Sequence, residues 1–209
     1  MRFDSSTIAW TRDKMTAAST RQHIVETADR LFYENGFGAT AFADIATSIG
    51  ISRGNFYYHF RTKDEILDAV IGLRLQKTEA LLADWEKQAE TPRDRIRRFV
   101  HILVANRAKI MLYGCPVGTL CSELAKLDHL ALGRAGELFA LFRSWLSRQF
   151  DAIGRSADAD ALAMHLLMRS QGVATLAAAL RDEDFIEREV QAMNLWLDAQ
   201  CPATPPQTI

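Results

Sequence analysis

Apolar residues recur at helical spacing from Thr20 to Leu197, and this periodicity constrains the fold more than any other feature of the chain. Apolar side chains three or four positions apart share one face of an α-helix, whereas a half-buried strand alternates apolar and polar residues. The sequence shows no such alternation and no internal repeat. With 48% hydrophobic residues among 209, the chain can bury a substantial core. The sequence therefore predicts an all-α protein.

Caps and helix breakers divide the first part of this pattern. The first predicted helix begins at Thr20 and ends before Gly36, because glycine readily adopts the left-handed conformation that follows a helix. Thr40 is predicted to cap a second, short helix, which stops at Gly50. Ser52 can cap a third short helix that ends by residue 60. Three helices are therefore expected within the first 60 residues.

The remaining helices are longer. Thr62 and Glu65 form the capping-box pattern that starts a fourth helix, and Pro92 breaks that helix. A later apolar stripe ends near Gly154, and two more are separated by residues 181–184. Pro116 suits the first position of another helix, which would place Cys115 at its N-cap.

Composition excludes several classes of protein. No apolar run approaches the roughly 20 residues that cross a bilayer, and the N-terminus lacks the apolar segment of a secretory signal, so a soluble, cytoplasmic protein without a membrane partner is expected. The three cysteines form neither a disulfide framework nor a CxxC pair, and no paired metal-ligand motif is present. No cofactor and no metal site are predicted.

One local stretch can bind a polyanion although the formal net charge is -1. No acidic residue lies between Asp44 and Asp64, and this window contains the aromatic sequence SRGNFYYHF, residues 52–60. Two short helices joined across Gly50-Ile51 match a helix-turn-helix, in which the start of the second helix faces base edges in the major groove. Arg53 can pair with guanine and Asn55 with adenine or a phosphate. Gly54 would allow the backbone to approach DNA closely.

The aromatic side chains of this stretch divide by helical position. Phe56 and Phe60 are four residues apart and can pack on the first two helices. The hydroxyls of Tyr57 and Tyr58 can reach phosphates from a less buried face, and His59 and Lys63 extend that edge. The stretch is therefore predicted to combine a small aromatic core with a phosphate-binding surface.

At these positions the sequence resembles the TetR family of bacterial transcriptional regulators. The matching residues lie at fixed spacing between Thr20 and Leu67, and they are Ala28, Leu31-Phe32, Asn35-Gly36-Phe37, Thr40, Asp44-Ile45-Ala46, Gly50-Ile51-Ser52, Gly54, Tyr57, His59-Phe60, Lys63 and Leu67. The resemblance covers about a quarter of the chain. It implies a ligand-responsive repressor that binds a palindromic operator as a homodimer and is released by a small-molecule effector, which the sequence does not identify.

The resemblance also implies a division of the chain. A flexible arm would span residues 1–19, a helix-turn-helix DNA-binding domain residues 20–63, a helical ligand-sensing and dimerisation domain residues 64–200, and a tail residues 201–209. Contacts to double-stranded operator DNA are expected from Thr40, Ser52, Arg53, Gly54, Asn55, Tyr57, Tyr58, His59 and Lys63. Asn55 stands where the family commonly has a small hydroxyl residue, which leaves the preferred base open. The last two helices would form the dimer, with candidates Leu166, Val173, Leu176, Leu180, Ile186, Val190, Met193 and Leu197.

An effector pocket should lie between helices and be mostly apolar with a few polar groups. The candidates to line it are Met111, Tyr113, Cys115, Phe139, Phe142, Trp145, His165 and Arg169. The same residues could be ordinary core. His165 and Arg169 share one predicted helix face. They would favour an anionic or carbonyl-bearing ligand if that face is internal, and would be structural if it lies at the dimer interface.

Three alternatives remain open from the sequence. Cys115, at a helix N-terminus, could ionise and sense electrophiles or oxidants, or it could be a small buried hydrophobe. A helical enzyme could use Cys115 with His101 or His165, although catalysis is not expected. A protein-interaction module could use the aromatic cluster for protein contacts. Repression is the common mode of the resembled family, and activation is rarer.

Overall fold

The computed structural model describes residues 17–201, which form ten helices and no strand, as the sequence predicted. The helices are α1 (Ala17–Asn35), α2 (Phe42–Ile49), α3 (Arg53–His59), α4 (Lys63–Gln88), α5 (Pro92–Ala105), α6 (Arg107–Tyr113), α7 (Pro116–Lys126), α8 (Leu132–Ala152), α9 (Ala159–Leu180) and α10 (Glu183–Gln200). None of these helices combines the length and apolar content needed to cross a membrane.

Most predicted helix boundaries are confirmed by their caps. Gly36 and Gly50 follow α1 and α2 with φ of 91° and 68°. The hydroxyl of Ser52 accepts the amide of Asn55, and that of Thr62 accepts the amide of Glu65. The Glu65 carboxylate accepts the amide of Arg61 at 2.7 Å, one residue before the expected partner. These local hydrogen bonds were predictable because each joins residues three or four apart.

The start of α1 differs from the prediction. α1 begins at Ala17, so residues 17–19 are helical and do not belong to an arm, in keeping with the high helix propensity of alanine. The rest of the predicted arm, residues 1–16, and residues 202–209 of the predicted tail lie outside the described residues.

The buried side chains form two hydrophobic cores that share α4. The first core lies between α1, α2, α3 and the first half of α4, and Leu120, Leu124 and Ala135 close it from α7 and α8. The second core lies between the end of α4 and α5, α6, α8, α9 and α10. α8 packs against α9, and α10 packs against α5 and α9. α8 also contributes to both cores, so a movement of α4 or α8 affects both of them.

Candidate nucleic-acid interface and central cavity

The N-terminal half of α3 is fully presented to solvent. Ser52, Arg53, Gly54 and Asn55 are exposed, while Phe56 is only 1% exposed and anchors the helix in the first core. The Ser52 hydroxyl is used as the helix cap, at 3.2 Å from the Asn55 amide nitrogen. The side chains of Arg53 and Asn55 therefore point away from the protein on a rigidly anchored helix, as base-reading side chains require.

Gly54 has no structural reason within the described residues to be glycine. A Cβ atom built on it would meet no heavy atom of the described chain within 4 Å, and its φ is not in the left-handed region. An alanine would fit and would favour the helix more than glycine does. The open space in front of Gly54 is therefore available to a closely approaching ligand.

The aromatic side chains divide as the sequence predicted. Phe56 and Phe60 are buried, whereas Tyr57 and Tyr58 are 54% and 77% exposed. The Tyr57 ring stacks on Phe42 at a centroid distance of 5.7 Å, which fixes the ring of Tyr57 while its edge stays exposed. The hydroxyls of Tyr57 and Tyr58 therefore lie at the border of the exposed surface that α2 and α3 form.

Two predicted DNA contacts are partly engaged within the protein. The Lys63 ammonium donates to the Gly38 carbonyl at 3.2 Å and lies 4.3 Å from the centre of the Phe37 ring. Burial lowers the pKa of Lys63, and the Glu123 carboxylate opposes that shift. His59 is half-buried, with its ring edge-on to Tyr58. Lys63 has further N–H donors for a phosphate, so its predicted role stays a prediction.

Thr40 does not present its side chain to a ligand. It is 2% exposed, and its hydroxyl donates to the carbonyls of Gly36 and Leu31 at 2.8 and 3.3 Å. It does not cap α2 either, because the N-cap is Ala41, whose amide donates to the Asp44 carboxylate. The Thr40 hydroxyl therefore fixes the α1–α2 turn, and the DNA contact of Thr40 stays a prediction.

A cavity of about 540 Å³ lies between α1 and α4 on one side and α5 to α9 on the other. We call it the central cavity. Its apolar wall comes from α5, α8 and α9, and its polar wall from α1, α4 and α6. Four of the predicted pocket residues line it: Tyr113, Cys115, Phe139 and Phe142.

The other four predicted pocket residues do not line the central cavity. Trp145 is 1% exposed and packs on Trp85, and Met111 packs against the second core. His165 stacks on Trp196 at 4.6 Å, and the Arg169 guanidinium pairs with Glu189 at 3.0 Å. His165 and Arg169 thus face α10 of the same chain. The sequence could not show this, because it gives the spacing of residues along α9 but not the rotation of α9 about its own axis.

A buried ion pair beside the central cavity was missed by the sequence analysis. Arg74, 8% exposed, donates to the Asp29 carboxylate and to the Pro116 carbonyl, both at 2.6 Å. The Tyr33 hydroxyl donates to the Gly114 carbonyl at 2.8 Å, and burial raises the pKa of Tyr33 to about 12. These contacts tie α4 to the first residue of α7 and α1 to Gly114 just before that helix.

A second link joins α7 to the α1–α2 turn. The two Glu123 carboxylate oxygens accept the amides of Phe37 and Gly38 at 2.8 and 2.7 Å. A Cβ atom at Gly36 would lie 3.2 Å from this carboxylate, so the small residues of the turn allow its close approach. The only signal for this contact in the sequence is the Gly36-Phe37-Gly38 turn itself.

The surroundings of Cys121 do not activate its thiol. Cys115 caps α7 as predicted, and its sulfur accepts the Gly118 amide at 3.5 Å. Burial raises the pKa of Cys121, and the nearby Cys115 raises it further, which is opposite to the shift a reactive thiolate needs. All three cysteines are free. The thiol-sensor interpretation is therefore not favoured.

Six of the eight candidate dimer residues are buried within the chain. Leu166, Val173, Ile186, Val190, Met193 and Leu197 are at most 3% exposed and belong to the second core. Leu176 and Leu180 are 49% and 62% exposed. Met164 and Met168 are also exposed on α9, and Leu195 is exposed on α10. The apolar stripe read from the sequence is thus the core-facing side, and a second apolar side of α9 remains exposed.

Known proteins are similar to this chain both in the candidate DNA-binding region and over most of its length. The family described as "Bacterial regulatory proteins, tetR family" matches residues 24–70, which contain α2 and α3. The chain is 26% identical over 203 residues to the HTH-type transcriptional repressor DhaR of Mycobacterium sp. (strain GP1), covering 93% of this chain and 96% of that one. It is 43% identical over 60 residues to the HTH-type transcriptional regulator TtgR of Pseudomonas putida, covering 29% of each chain.

A solved structure extends the similarity to the helices beyond α4. The crystal structure of a TetR transcriptional regulator from Legionella pneumophila has a TM-score of 0.75 and 26% sequence identity, and it covers 87% of this chain and 97% of its own. The relatives and the fold indicate a transcriptional regulator.

Proposed function

The chain belongs to the TetR family of bacterial transcriptional regulators, and from this premise we propose that it is a repressor released from DNA by a small molecule. The proposal assigns DNA binding to residues 20–63, and sensing and dimerisation to residues 64–200. Two α3 helices of a homodimer would enter successive major grooves of a palindromic operator. Because bacterial DNA lies in the cytoplasm, the protein would act there.

The exposed start of α3 is the observation that carries the DNA-binding part. Arg53 and Asn55 are exposed on a helix anchored by Phe56. No acidic residue lies between Asp44 and Asp64 to repel phosphates. Arginine suits guanine and asparagine suits adenine in the major groove, while the tyrosine hydroxyls at the border suit phosphates.

The exposed side of α9 supports the homodimer. Met164, Met168, Leu176 and Leu180 are exposed apolar side chains on α9, and Leu195 is one on α10. Contiguous apolar surface on a soluble protein commonly marks a contact with another protein. A two-fold axis at this surface would let the same side chains meet their copies and would set the distance between the two α3 helices.

Release by a ligand is supported by α7, which connects the central cavity to the DNA-binding residues. Cys115 and Pro116, at the start of α7, line the cavity, and Glu123 holds the amides of Phe37 and Gly38 two turns later. A ligand that shifts the start of α7 would therefore shift the α1–α2 turn. The ligand stabilises whichever arrangement it binds more tightly, and operator affinity changes accordingly.

Gly54→Ala tests the DNA contact. We expect this change to raise the free energy of unfolding by up to about 1 kcal/mol, because alanine favours a helix. It should weaken DNA binding by about 1 kcal/mol or more, because the added methyl group faces the duplex. Both effects can be measured by thermal unfolding and by fluorescence anisotropy with a labelled duplex.

Gly133→Ala is a matched control for this change. Gly133 is also exposed, is also the second residue of its helix, and also has no heavy atom within 4 Å of an added Cβ. It should raise stability comparably and leave DNA affinity unchanged. Equal DNA affinity of the Gly54→Ala and Gly133→Ala variants would contradict the proposed interface.

Glu123→Gln tests the link between α7 and the α1–α2 turn. Glutamine keeps the shape of the side chain but replaces one acceptor oxygen by a donor, so one of the two amides loses its partner. We expect the free energy of unfolding to fall by about 1–3 kcal/mol, and the Phe37 and Gly38 amides to exchange faster with solvent. Glu79→Gln, at an exposed position of α4, is the control. Unchanged exchange at both amides would show that Glu123 does not hold the turn.

A further inference from the structure

We propose that the central cavity takes an aromatic anion, a molecule with an aromatic body against the apolar wall and one negatively charged group at the mouth beside Lys109. This inference rests on the proposed ligand-responsive function, because it names the chemistry of the ligand that acts there.

The apolar wall is built for an aromatic body. α8 contributes Leu138, Phe139 and Phe142, and the Phe142 ring packs against that of Phe99 with centroids 5.5 Å apart. Leu167 and Ala174 of α9 continue the wall. The volume of about 540 Å³ suits a small molecule of two or three rings. Aromatic side chains favour stacked or edge-on contacts with a ligand ring over contacts with water.

The polar wall offers hydrogen-bonding groups that the protein does not use. Asn106, Lys109 and Tyr113 follow one another along one side of α6 and the residue preceding it, and all three line the cavity. Of these, the Asn106 amide is already engaged, because it donates to the Ile102 carbonyl at 2.9 Å. Within residues 17–201, the Tyr113 hydroxyl and the side-chain amide of Gln171 have no hydrogen-bond partner. By contrast, the Tyr33 hydroxyl and the Arg74 guanidinium are already engaged.

The charge around the cavity favours an anion over a cation. Four cationic side chains line it, Arg30, Arg74, Lys77 and Lys109, against three acidic ones, Glu26, Asp29 and Glu34. Each of the three carboxylates already accepts a hydrogen bond, from Gln22, Arg74 and Arg30 respectively. Among the described residues the Lys109 ammonium has no carboxylate partner. The side chains that line the cavity therefore carry a net charge of +1, although the Glu26 carboxylate is bonded only to the neutral Gln22.

The position of Lys109 sets the orientation of the ligand. Lys109 is exposed, whereas the next residue, Ile110, is buried in the second core. Arg74 and Asp29 satisfy each other, so a ligand charge placed deep in the cavity would be buried without a partner, at a high free-energy cost. A charge at the mouth keeps both water and Lys109 as partners. The charged group must therefore point outward and the aromatic body inward.

Two fluorescent probes with the same aromatic body test the inference. 8-Anilinonaphthalene-1-sulfonate is an anion, and N-phenyl-1-naphthylamine is its neutral counterpart without the sulfonate. We expect the folded protein to bind the sulfonate more tightly. Lys109→Gln should weaken binding of the sulfonate about two- to five-fold, the scale of an exposed ion pair, and leave the neutral amine unchanged. Lys87→Gln, at an exposed position that does not line the cavity, should change neither.

Val117→Trp locates the binding. Val117 lines the cavity from the first turn of α7, and an indole there would occupy the space of the ligand. Both probes should lose binding to this variant at an unchanged melting temperature. Equal affinity of wild-type protein for the two probes, an equal effect of Lys109→Gln on both, or unchanged sulfonate binding by the Val117→Trp variant would each overturn the proposal.

Failure of this inference is distinguishable from failure of the proposed function. Probe binding is measured without DNA, and release of a bound duplex by the sulfonate is measured separately. Sulfonate binding that depends on Lys109 but leaves DNA bound would support the ligand class and count against release by ligand. Release of the duplex by the neutral amine alone would support ligand-dependent release and overturn the ligand class.

Discussion

Leu176→Glu is expected to convert the proposed homodimer to a monomer and to weaken operator binding by about 10²- to 10⁴-fold. Leu176 is 49% exposed on the apolar side of α9, together with Met168 and Leu180. At a two-fold interface each substitution appears twice, so two carboxylates would be brought together and removed from water. A monomer reaches one half-site, and the gain from linking two binding events is lost.

The experiment pairs light scattering after size-exclusion chromatography with fluorescence anisotropy on a two-half-site duplex. Leu112→Glu is a suitable control, because Leu112 has a similar exposure of 56% and lies on α6. It should leave both the dimer and DNA affinity intact. A Leu176→Glu variant that remains dimeric with wild-type DNA affinity would show that the exposed side of α9 is not the interface.

Arg74→Met is expected to lower the free energy of unfolding by about 3 kcal/mol, the lower end of the range for breaking a buried ion pair. The Arg74 side chain is 9% exposed and that of Asp29 is 22% exposed. Methionine fills much of the volume but leaves the Pro116 carbonyl without its donor and the Asp29 carboxylate with only the exposed Lys77 ammonium, 4.0 Å away. Urea unfolding at neutral pH measures the loss, and the slope with urea should stay constant.

Two further variants show whether the loss comes from the unpaired charge. Arg148→Met removes an exposed partner of Glu86, whose closest oxygen is 3.8 Å away, and should cost less than about 1 kcal/mol. Adding Asp29→Leu to Arg74→Met removes the stranded carboxylate and should restore part of the stability. If the double variant is no more stable than Arg74→Met alone, the loss is due to packing and not to charge.

Local features made much of the fold predictable. Gly36 and Gly50 end their helices, Ser52 and Thr62 cap theirs, and Cys115 precedes Pro116 at the start of α7. Each of these depends on residues within one helical turn, so the sequence carries the signal directly. The burial of Phe56 and the exposure of Tyr57 were predictable for the same reason.

The proposed dimer surface could not be predicted in the same way. A helical apolar stripe shows that one side of a helix is buried, but not whether its own chain or a second chain covers it. Leu166 and Val173 pack inside the chain, whereas Met168 and Leu176 stay exposed. α9 has apolar residues on both sides, and only the packing of α8 and α10 against it shows which side is left over.

The contacts that connect the two cores could not be predicted from the sequence either. Asp29 and Arg74 are 45 residues apart, and Gly38 and Glu123 are 85 apart. Such distant pairs produce no regular spacing of residue types in the sequence, because the identities of the residues between them are not determined by the contact. His165 was misplaced for a related reason, since the rotation of α9 turns its side chain toward Trp196 and away from the cavity.

Selection of binding sites from random duplex DNA tests the central claim most directly. The purified protein is incubated with the pool at about physiological salt, where nonspecific attachment to phosphates is weak, and the bound duplexes are sequenced. The proposed function predicts an inverted repeat with half-site centres about one helical turn apart, and loss of that motif in an Arg53→Ala variant. A folded dimer that enriches no motif would contradict the claim that the exposed start of α3 reads DNA sequence.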